Sequence, residues 1–291
     1  MVDSHIHLSY RLYDQQFPFI AIARDVYEIQ YSNREELIKM EKDAGIEFCI
    51  EPAIDVESND LLLKLSKQFA GFIYPAVGNH PTRCIHSYIK DFRQVRKFAN
   101  DKNVIAIGET GLDYHYERKE QHRIKQKIWF KWQIQLADKL GLPLILHIRN
   151  AHDDAIKMLR KNKEGLHGGV CHCFVGNASV ARVYTEELGL CLGIGGSLLM
   201  RPEISEPLCE AVKESPLEKI LLETDGPFVK PIKPDYITKK KWEKARNTSL
   251  ILPVIANRIA ELKGITVAEV LKITEENTRR VFGIKKGMKE L

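Results

Sequence analysis

Two histidines, His5 and His7, flank a single isoleucine in VDSHIHL near the start of the chain. Side chains of an extended segment alternate between two faces, so residues two apart share one. Two imidazoles on one face are enough to begin a metal site. Alone, the pair is better read as two histidines on a polar face. Four more side chains of the same chemistry follow: Glu109 in AIGETGLDYHY, His147 in LILHIRN, His172 in VCHCF and Asp225 in LLETDGPF. Each has a structural explanation of its own. His147 and His172 could be hydrogen-bonded core imidazoles, Glu109 a helix-capping acid and Asp225 a turn residue before Gly226-Pro227. Their shared position is harder to explain that way, because all six fall at the C-terminal end of an apolar run. Four neutral imidazoles and two carboxylates exceed the needs of one tetrahedral ion. They suit two divalent ions about 3.5–4 Å apart with a carboxylate between them, an arrangement that turns water into a nucleophile.

The apolar runs that must position these residues are Val2–His7, Phe48–Ala53, Ile73–Val77, Val104–Gly108, Leu144–His147, Gly169–His172, Leu190–Ile194 and Ile220–Glu223. Several are apolar at successive positions, as parallel strands buried on both faces are. Amphipathic segments lie between them. Ser32–Ala44 opens with a capping box, Ser32 with Glu35, and Thr266–Glu276 with another, Thr266 with Glu269. Lys119–Leu140 is stopped by Gly141 and Pro143. Ala151–Lys161, Ser179–Leu188 and Leu250–Lys263 complete the helical set. Eight strands alternating with helices in 291 residues predict an α/β chain folded as a (β/α)8 TIM barrel. An open doubly wound sheet would carry a Gly-rich phosphate turn after its first strand, where this chain has His-Ile-His-Leu-Ser. No linker or low-complexity tract interrupts the alternation, so residues 1–291 are expected to form a single domain. In a barrel all C-terminal strand ends meet at one rim, and the six residues would face one another there.

Hydrophobic residues make up 44% and charged residues 29%, ordinary for a chain with a real core. The net charge of +5 admits nucleic acid or another anion as substrate without demanding it. Six cysteines in a chain of this length do not form a disulfide framework and are expected as reduced, cytoplasmic thiols. Alternation puts Cys171 and Cys173 opposite His172, which favours buried packing over a zinc knot. No apolar run reaches the length of a membrane span, and the N-terminus lacks the basic and apolar regions of a signal peptide. Nothing indicates an obligate protein partner.

Taken together, VDSHIHL, AVGNHP, AIGETGLDYHY, QIQLADKLGLPLILHIRNA, HCFVG, LLETDGPF and RNTSLILPVIANRIAELKGITVAEV resemble the TatD family of metal-dependent hydrolases, within the amidohydrolase-like TIM barrels. The segments span nearly the whole chain. GETGLDYH and LLETDGPF are the specific ones; the His-x-His is shared with many relatives. The resemblance implies a hydrolase acting on ester bonds, a 3'-5' exonuclease-like deoxyribonuclease or phosphodiesterase with two divalent ions. Zn, Mn, Mg, Fe and Co all suit mixed nitrogen and oxygen ligation. It further implies that His5, His7 and Asp225 bind one ion, that His147 and His172 bind the other, and that Glu109 bridges. Many amidohydrolase relatives bridge with a carbamylated lysine; the fourth strand end here offers Glu109 and no lysine. Three features depart from the family pattern. Tyr10–Tyr31 is longer and more aromatic than usual and should lie over the rim. The usual Gly-Ile-His-Pro-His appears as Gly78-Asn79-His80-Pro81-Thr82. The usual Ser-Arg-Asp appears as Ile148-Arg149-Asn150.

On this basis Asp225 and Glu109 are the catalytic candidates, with Asp225 orienting a water and taking its proton. His80 and Arg149 are the candidates to hold the phosphate, Arg149 through a planar fork. Asp113, also a candidate at the substrate, reads equally as an acceptor for a ligand imidazole or as a turn residue after Gly111. Glu223 is expected to support the ligands, and Asp3 shares a face with His5 and His7. The run Lys239–Arg246 is by default a solvated basic loop; near the rim it becomes a DNA-backbone contact, with Trp242 or Tyr236 stacking a base. An amidohydrolase or lactonase with the same centre, and a non-catalytic nucleic-acid-binding barrel, are the competing functions. The basic loop and the net charge favour phosphate.

Overall fold

The eight apolar runs become eight parallel strands. In the computed structural model, which describes residues 1–23 and 26–286, they are β1 (Val2–Asp3), β4 (Phe48–Pro52), β5 (Ile73–Val77), β6 (Ala106–Asp113), β7 (Leu144–Arg149), β8 (Gly169–His172), β9 (Cys191–Ile194) and β10 (Ile220–Leu222). They pair in that order. Between β1 and β4, β2 (Phe17–Ala23) and β3 (Val26–Ser32) form a separate antiparallel hairpin. The last barrel strand meets the first through Ser4 N–H to Leu222 O at 2.9 Å, Asp225 N–H to His5 O at 2.9 Å and His7 N–H to Gly226 O at 2.8 Å. His5 and His7 lie past the regular part of β1 but remain held by the strands on both sides. The result is the expected (β/α)8 TIM barrel.

Helix α1 (Arg34–Asp43) follows the hairpin and α2 (Val56–Gln68) follows β4. The short α3 (Pro81–Cys84) and α4 (Ile89–Phe98) follow β5, α5 (Glu120–Leu140) follows β6 and α6 (His152–Arg160) follows β7. Then come α7 (Ala178–Arg182) after β8 and α8 (Pro202–Glu214) after β9. After β10 the chain adds α9 (Lys239–Lys244), α10 (Leu252–Lys263) and α11 (Val267–Phe282). Two boundaries differ from expectation for physical reasons. Ser32 ends β3, so the capping box of α1 moves one residue on, to Asn33 and Glu36. The segment expected as one helix over Ser179–Leu188 widens after Arg182 into a looser turn at Val183–Glu187. The box of Thr266 and Glu269 stands as expected.

Val2, Ile50, Ala76, Ala106, Ile145, Val170, Cys191 and Leu221, one from each barrel strand, pack together and fill the interior. Burying an aliphatic side chain of this kind contributes about 1.5–3 kcal/mol. Side chains two residues further along a strand point the same way. That periodicity carries Ile145 to His147, Val170 to His172 and Leu221 to Glu223, and so stacks polar groups above an apolar floor. Cys171 faces outward into the helix layer, as expected. Gly111, at φ +143°, lets β6 press against β7: a Cβ there would stand 2.1 Å from His147 O.

The insertion of residues 10–31 only partly lies over the rim. Tyr10 and Arg11 line rim cavities. The hairpin packs beside the segment after β10, with Ile20 N–H to Arg246 O and Arg246 N–H to Pro18 O, both 2.9 Å. Among the described residues no helix is long and apolar enough to cross a membrane.

Candidate metal centre

Glu109 stands at the middle of the rim, 2% exposed, and its two carboxylate oxygens face different partners. Oε2 is 3.7 Å from His5 Nε2 and 3.5 Å from His7 Nε2. Oε1 is 2.8 Å from His147 Nδ1 and 2.9 Å from His172 Nε2. Asp225 completes the first side, its Oδ1 3.7 Å from His5 Nε2 and 3.5 Å from His7 Nε2. The expected six residues therefore do converge.

The spacing fits divalent ions. Two donors each about 2.05 Å from a zinc at the tetrahedral angle are about 3.3 Å apart. On the first side the nitrogen pair is 3.2 Å apart and the nitrogen–oxygen pairs 3.5–3.7 Å. On the second, His147 Nδ1 and His172 Nε2 are 3.3 Å apart. Opposed imidazole nitrogens around buried carboxylates are a poor arrangement without a cation between them.

The protonation pattern points the same way. Burial, then the imidazole of His172, holds His5 well below its usual range, which keeps it in the neutral form that ligates. Burial would raise Glu109, but His172, His80 and His147 outweigh it and keep the carboxyl well below its ordinary value. Burial also opposes charge on His172, yet Glu109 and Glu223 draw it well above 6.5. A ligand cation takes the place of such a proton.

Partners behind the ligands fix their orientation. A carbonyl only accepts, so His7 donates Nδ1–H to Pro52 O at 3.2 Å and keeps Nε2 for the centre. His147 Nε2 meets Asp113 Oδ2 at 3.1 Å, leaving Nδ1 for the centre. The other Asp113 oxygen accepts from the amides of His115 and Tyr116, both 2.9 Å. Both readings of Asp113 hold at once. Asp113 lines the central cavity, fully buried and with both oxygens engaged by protein partners. Glu223, also fully buried, has Oε1 3.5 Å from His172 Nδ1 and accepts from Cys173 N–H. Asp3 orients no imidazole. It accepts from Thr224, Ser249 and the backbone of His5, and ties the first strand to the last.

His80 reaches the centre too, its Nε2 3.4 Å from Glu109 Oε1. Its Nδ1 meets both the Thr82 hydroxyl at 2.7 Å and the Thr82 N–H at 3.2 Å, and burial, then His147, lowers its pKa. With Nδ1 accepting the Thr82 amide, Nε2 is the protonated nitrogen and presents a donor to the centre; His80 also groups with Glu109 and His147 at metal-holding distances. Arg149 lies with its guanidinium carbon 4.9 Å over the ring of Tyr116 and forms no ion pair among the described residues.

A cavity of about 410 Å³ opens above the centre and shares walls with two flanking cavities of about 390 Å³ each. A cleft of about 590 Å³ between α5 and the turn after α6 carries none of these residues. Asn150, Cys173, Asp225 and Val229 have φ of 44–55° and line the rim cavities. That is uncommon for residues other than glycine, and such strain gathers where a site is held in a set geometry. Cys173 is accordingly half-buried at a cavity wall rather than packed in the core.

The basic run keeps its default reading rather than the DNA-contact alternative. Trp242 is 6% exposed and packs against Tyr27 at 5.9 Å, so no base can stack on it. Tyr236 is exposed but its hydroxyl accepts from Tyr27 N–H. None of Lys239–Arg246 lines the rim cavities, and the default reading of a solvated basic face stands. Arg83, Tyr116 and Phe228, which no motif singles out, and Tyr10, expected only as part of the segment over the rim, all stand at the central cavity. Tyr10 and Phe228 each stand three residues after a ligand candidate, a spacing that could have flagged them.

A family model described as TatD related DNase matches residues 2–283. The uncharacterized metal-dependent hydrolase YabD of Bacillus subtilis is 31% identical over 284 residues, covering 98% of this chain and 99% of that one. The 3'-5' ssDNA/RNA exonuclease TatD of Erwinia amylovora is 31% identical over 254 residues, covering 87% and 94%. Among solved structures, the TatD homolog YJJV of Escherichia coli superposes with a TM-score of 0.81 at 24% identity, covering 98% of each chain, which supports the fold.

Proposed function

The chain belongs to the TatD-related DNase family of metal-dependent hydrolases acting on ester bonds, and from that premise we propose that it cleaves phosphodiester bonds of single-stranded DNA or RNA at a two-ion centre. The observation that carries this reading is Glu109, with one oxygen toward His5 and His7 and the other toward His147 and His172. His5, His7 and Asp225 would hold one ion, His147 and His172 the other, and Glu109 both. When bound, divalent ions supply the positive charge that makes water acidic and offsets charge growing on phosphorus.

The chain's own groups do the rest. Asp225 directs Oδ1 at the His5–His7 pair, leaving its other oxygen to take the proton of the attacking water. His80 donates Nε2–H, and Arg149 its guanidinium fork, to the nonbridging phosphate oxygens. Asp113 and Glu223 hold His147 and His172 in register. The name of the Erwinia relative supports 3'-5' exonucleolytic cleavage here, and the free thiols of all six cysteines suit a reducing cytoplasm.

The test pairs metal content with activity. Purified chain should carry close to two divalent ions and release nucleotides from the 3' end of a labelled single strand, with loss on chelation and return on re-addition. Turnover of an amide or lactone panel with none of the labelled strand would reverse the assignment.

A further inference from the structure

Three rings at the barrel mouth, Tyr10, Phe228 and Tyr116, take no part in holding metal or phosphorus; they form two platforms, the second shared with the face of Arg149, whose N–H edge remains for the phosphate. Tyr10 and Phe228 meet edge to face, their centroids 5.5 Å apart, and both rings flank His7, at 6.5 and 5.9 Å. They come from the loops after β1 and β10. Tyr116 and Arg149 form the other platform, the guanidinium carbon lying 4.9 Å over the ring. They come from the ends of β6 and β7, the fourth and fifth strands of the eight, across the barrel from the first and last. Both platforms line the central cavity, with Glu109, His147 and Asp225. Phe228 is 42% and Tyr116 64% exposed. Large aromatic faces left in water on either side of an ionic centre match a substrate that carries flat rings on either side of a charged bond.

We propose that the two platforms stack the bases flanking the scissile phosphate, one on Phe228 with Tyr10 and the other on Tyr116 with Arg149. The strand is then splayed across the centre with its phosphate at Glu109. The inference rests on the phosphodiesterase reading above and names how that site recognises its substrate. Every base has a π face, so stacking tolerates any sequence. A duplex keeps both faces of each base covered, so the same platforms refuse paired strands. Arg83, exposed and without an ion pair among the described residues, lines the central cavity and the one beyond Tyr10, where the next phosphate falls.

The experiment scans the substrate against the protein. A labelled single strand with one cleavable bond, the rest blocked, carries an abasic spacer on one side of that bond or the other. With the metal-loaded protein each spacer is expected to raise KM about tenfold, with a smaller effect on kcat. Phe228→Ala should raise KM for the intact strand by a similar factor and abolish the cost of one spacer while keeping the cost of the other. Tyr116→Ala should do the reverse, and Phe228→Tyr should restore the wild-type pattern. Kd for the same strands, measured by fluorescence anisotropy with the metals chelated, should follow the same pattern. Spacer costs that persist undiminished in both alanine variants would overturn the proposal. A wild-type protein that cuts the intact strand but ignores the spacers would overturn the platforms and leave the nuclease reading standing. Failure to cut the intact strand at all would overturn both.

Discussion

Asp113 Oδ2 and His147 Nε2 stand 3.1 Å apart at the wall of the centre, and this contact decides which nitrogen His147 turns toward Glu109. The carboxylate holds Nε2 as a donor and so frees Nδ1 as a ligand. Asp113→Asn keeps a group of the same shape at the turn but removes the charge. Metal affinity of the His147–His172 side should fall about tenfold to hundredfold, read by competition with a chromophoric chelator. Equal affinity in the variant would count against an orienting role.

Asp225 serves two roles in the proposed centre, and Asp225→Asn should separate them. The variant is expected to keep the ion held by His147, His172 and Glu109. Its kcat should drop by about 10²–10⁴-fold, the usual worth of a positioned proton acceptor. Elemental analysis and kcat on the labelled strand check both parts. Cleavage at the original rate with full metal content would remove Asp225 from the mechanism.

Glu41, on α1, is fully buried and accepts from Ser249 N–H. Burial, then the nearby carboxyl of Asp3, pushes it from 4.5 up to about 8. Between those values the folded chain keeps a proton that the unfolded chain has released. Stability from this group is thus complete below 4.5 and lost as pH climbs through 8. The slope where the two states differ by one proton is about 1.4 kcal/mol per pH unit. Glu41→Gln cannot ionise and should flatten that part of the profile. Urea midpoints at several pH values between 5 and 8, wild type against variant, read the difference. Parallel profiles would refute the assignment.

Trp242 belongs to the packing of the inserted hairpin rather than to any nucleic-acid contact. Trp242→Ala should cost about 3–5 kcal/mol of stability. Glutamine at Lys239, Lys240 and Lys241 should leave KM for the labelled strand and its salt slope unchanged. Steady-state kinetics across a salt series tests the second statement, and thermal unfolding the first.

The parts of this molecule that were legible in its sequence are those governed by strand periodicity. His147 follows Ile145, and His172 follows Val170, by the same two-residue step, so the apolar pattern announced which way the imidazoles point. The loop residues had no such guide. Pro18, in the first strand of the hairpin, argues against a strand there, and the hairpin's seat beside Arg246 joins residues far apart in the chain. Ser32-x-x-Glu35 and Asn33-x-x-Glu36 both spell a cap, and only the hairpin's claim on Ser32 chooses between them. Trp242 shows the same limit. Its residue type says aromatic, while its direction was set by Tyr27, more than two hundred residues earlier in the chain.

The apolar plug from Val2 to Leu221 has a consequence for traffic. The barrel is a cup with a sealed base, not a tube. Under the proposed reaction, a strand that enters at the mouth cannot be drawn through the sealed base, and a released nucleotide must leave by the mouth. Arrival and departure share one doorway, so the rate at which the severed piece clears that doorway sets a ceiling on how soon the next bond can be presented.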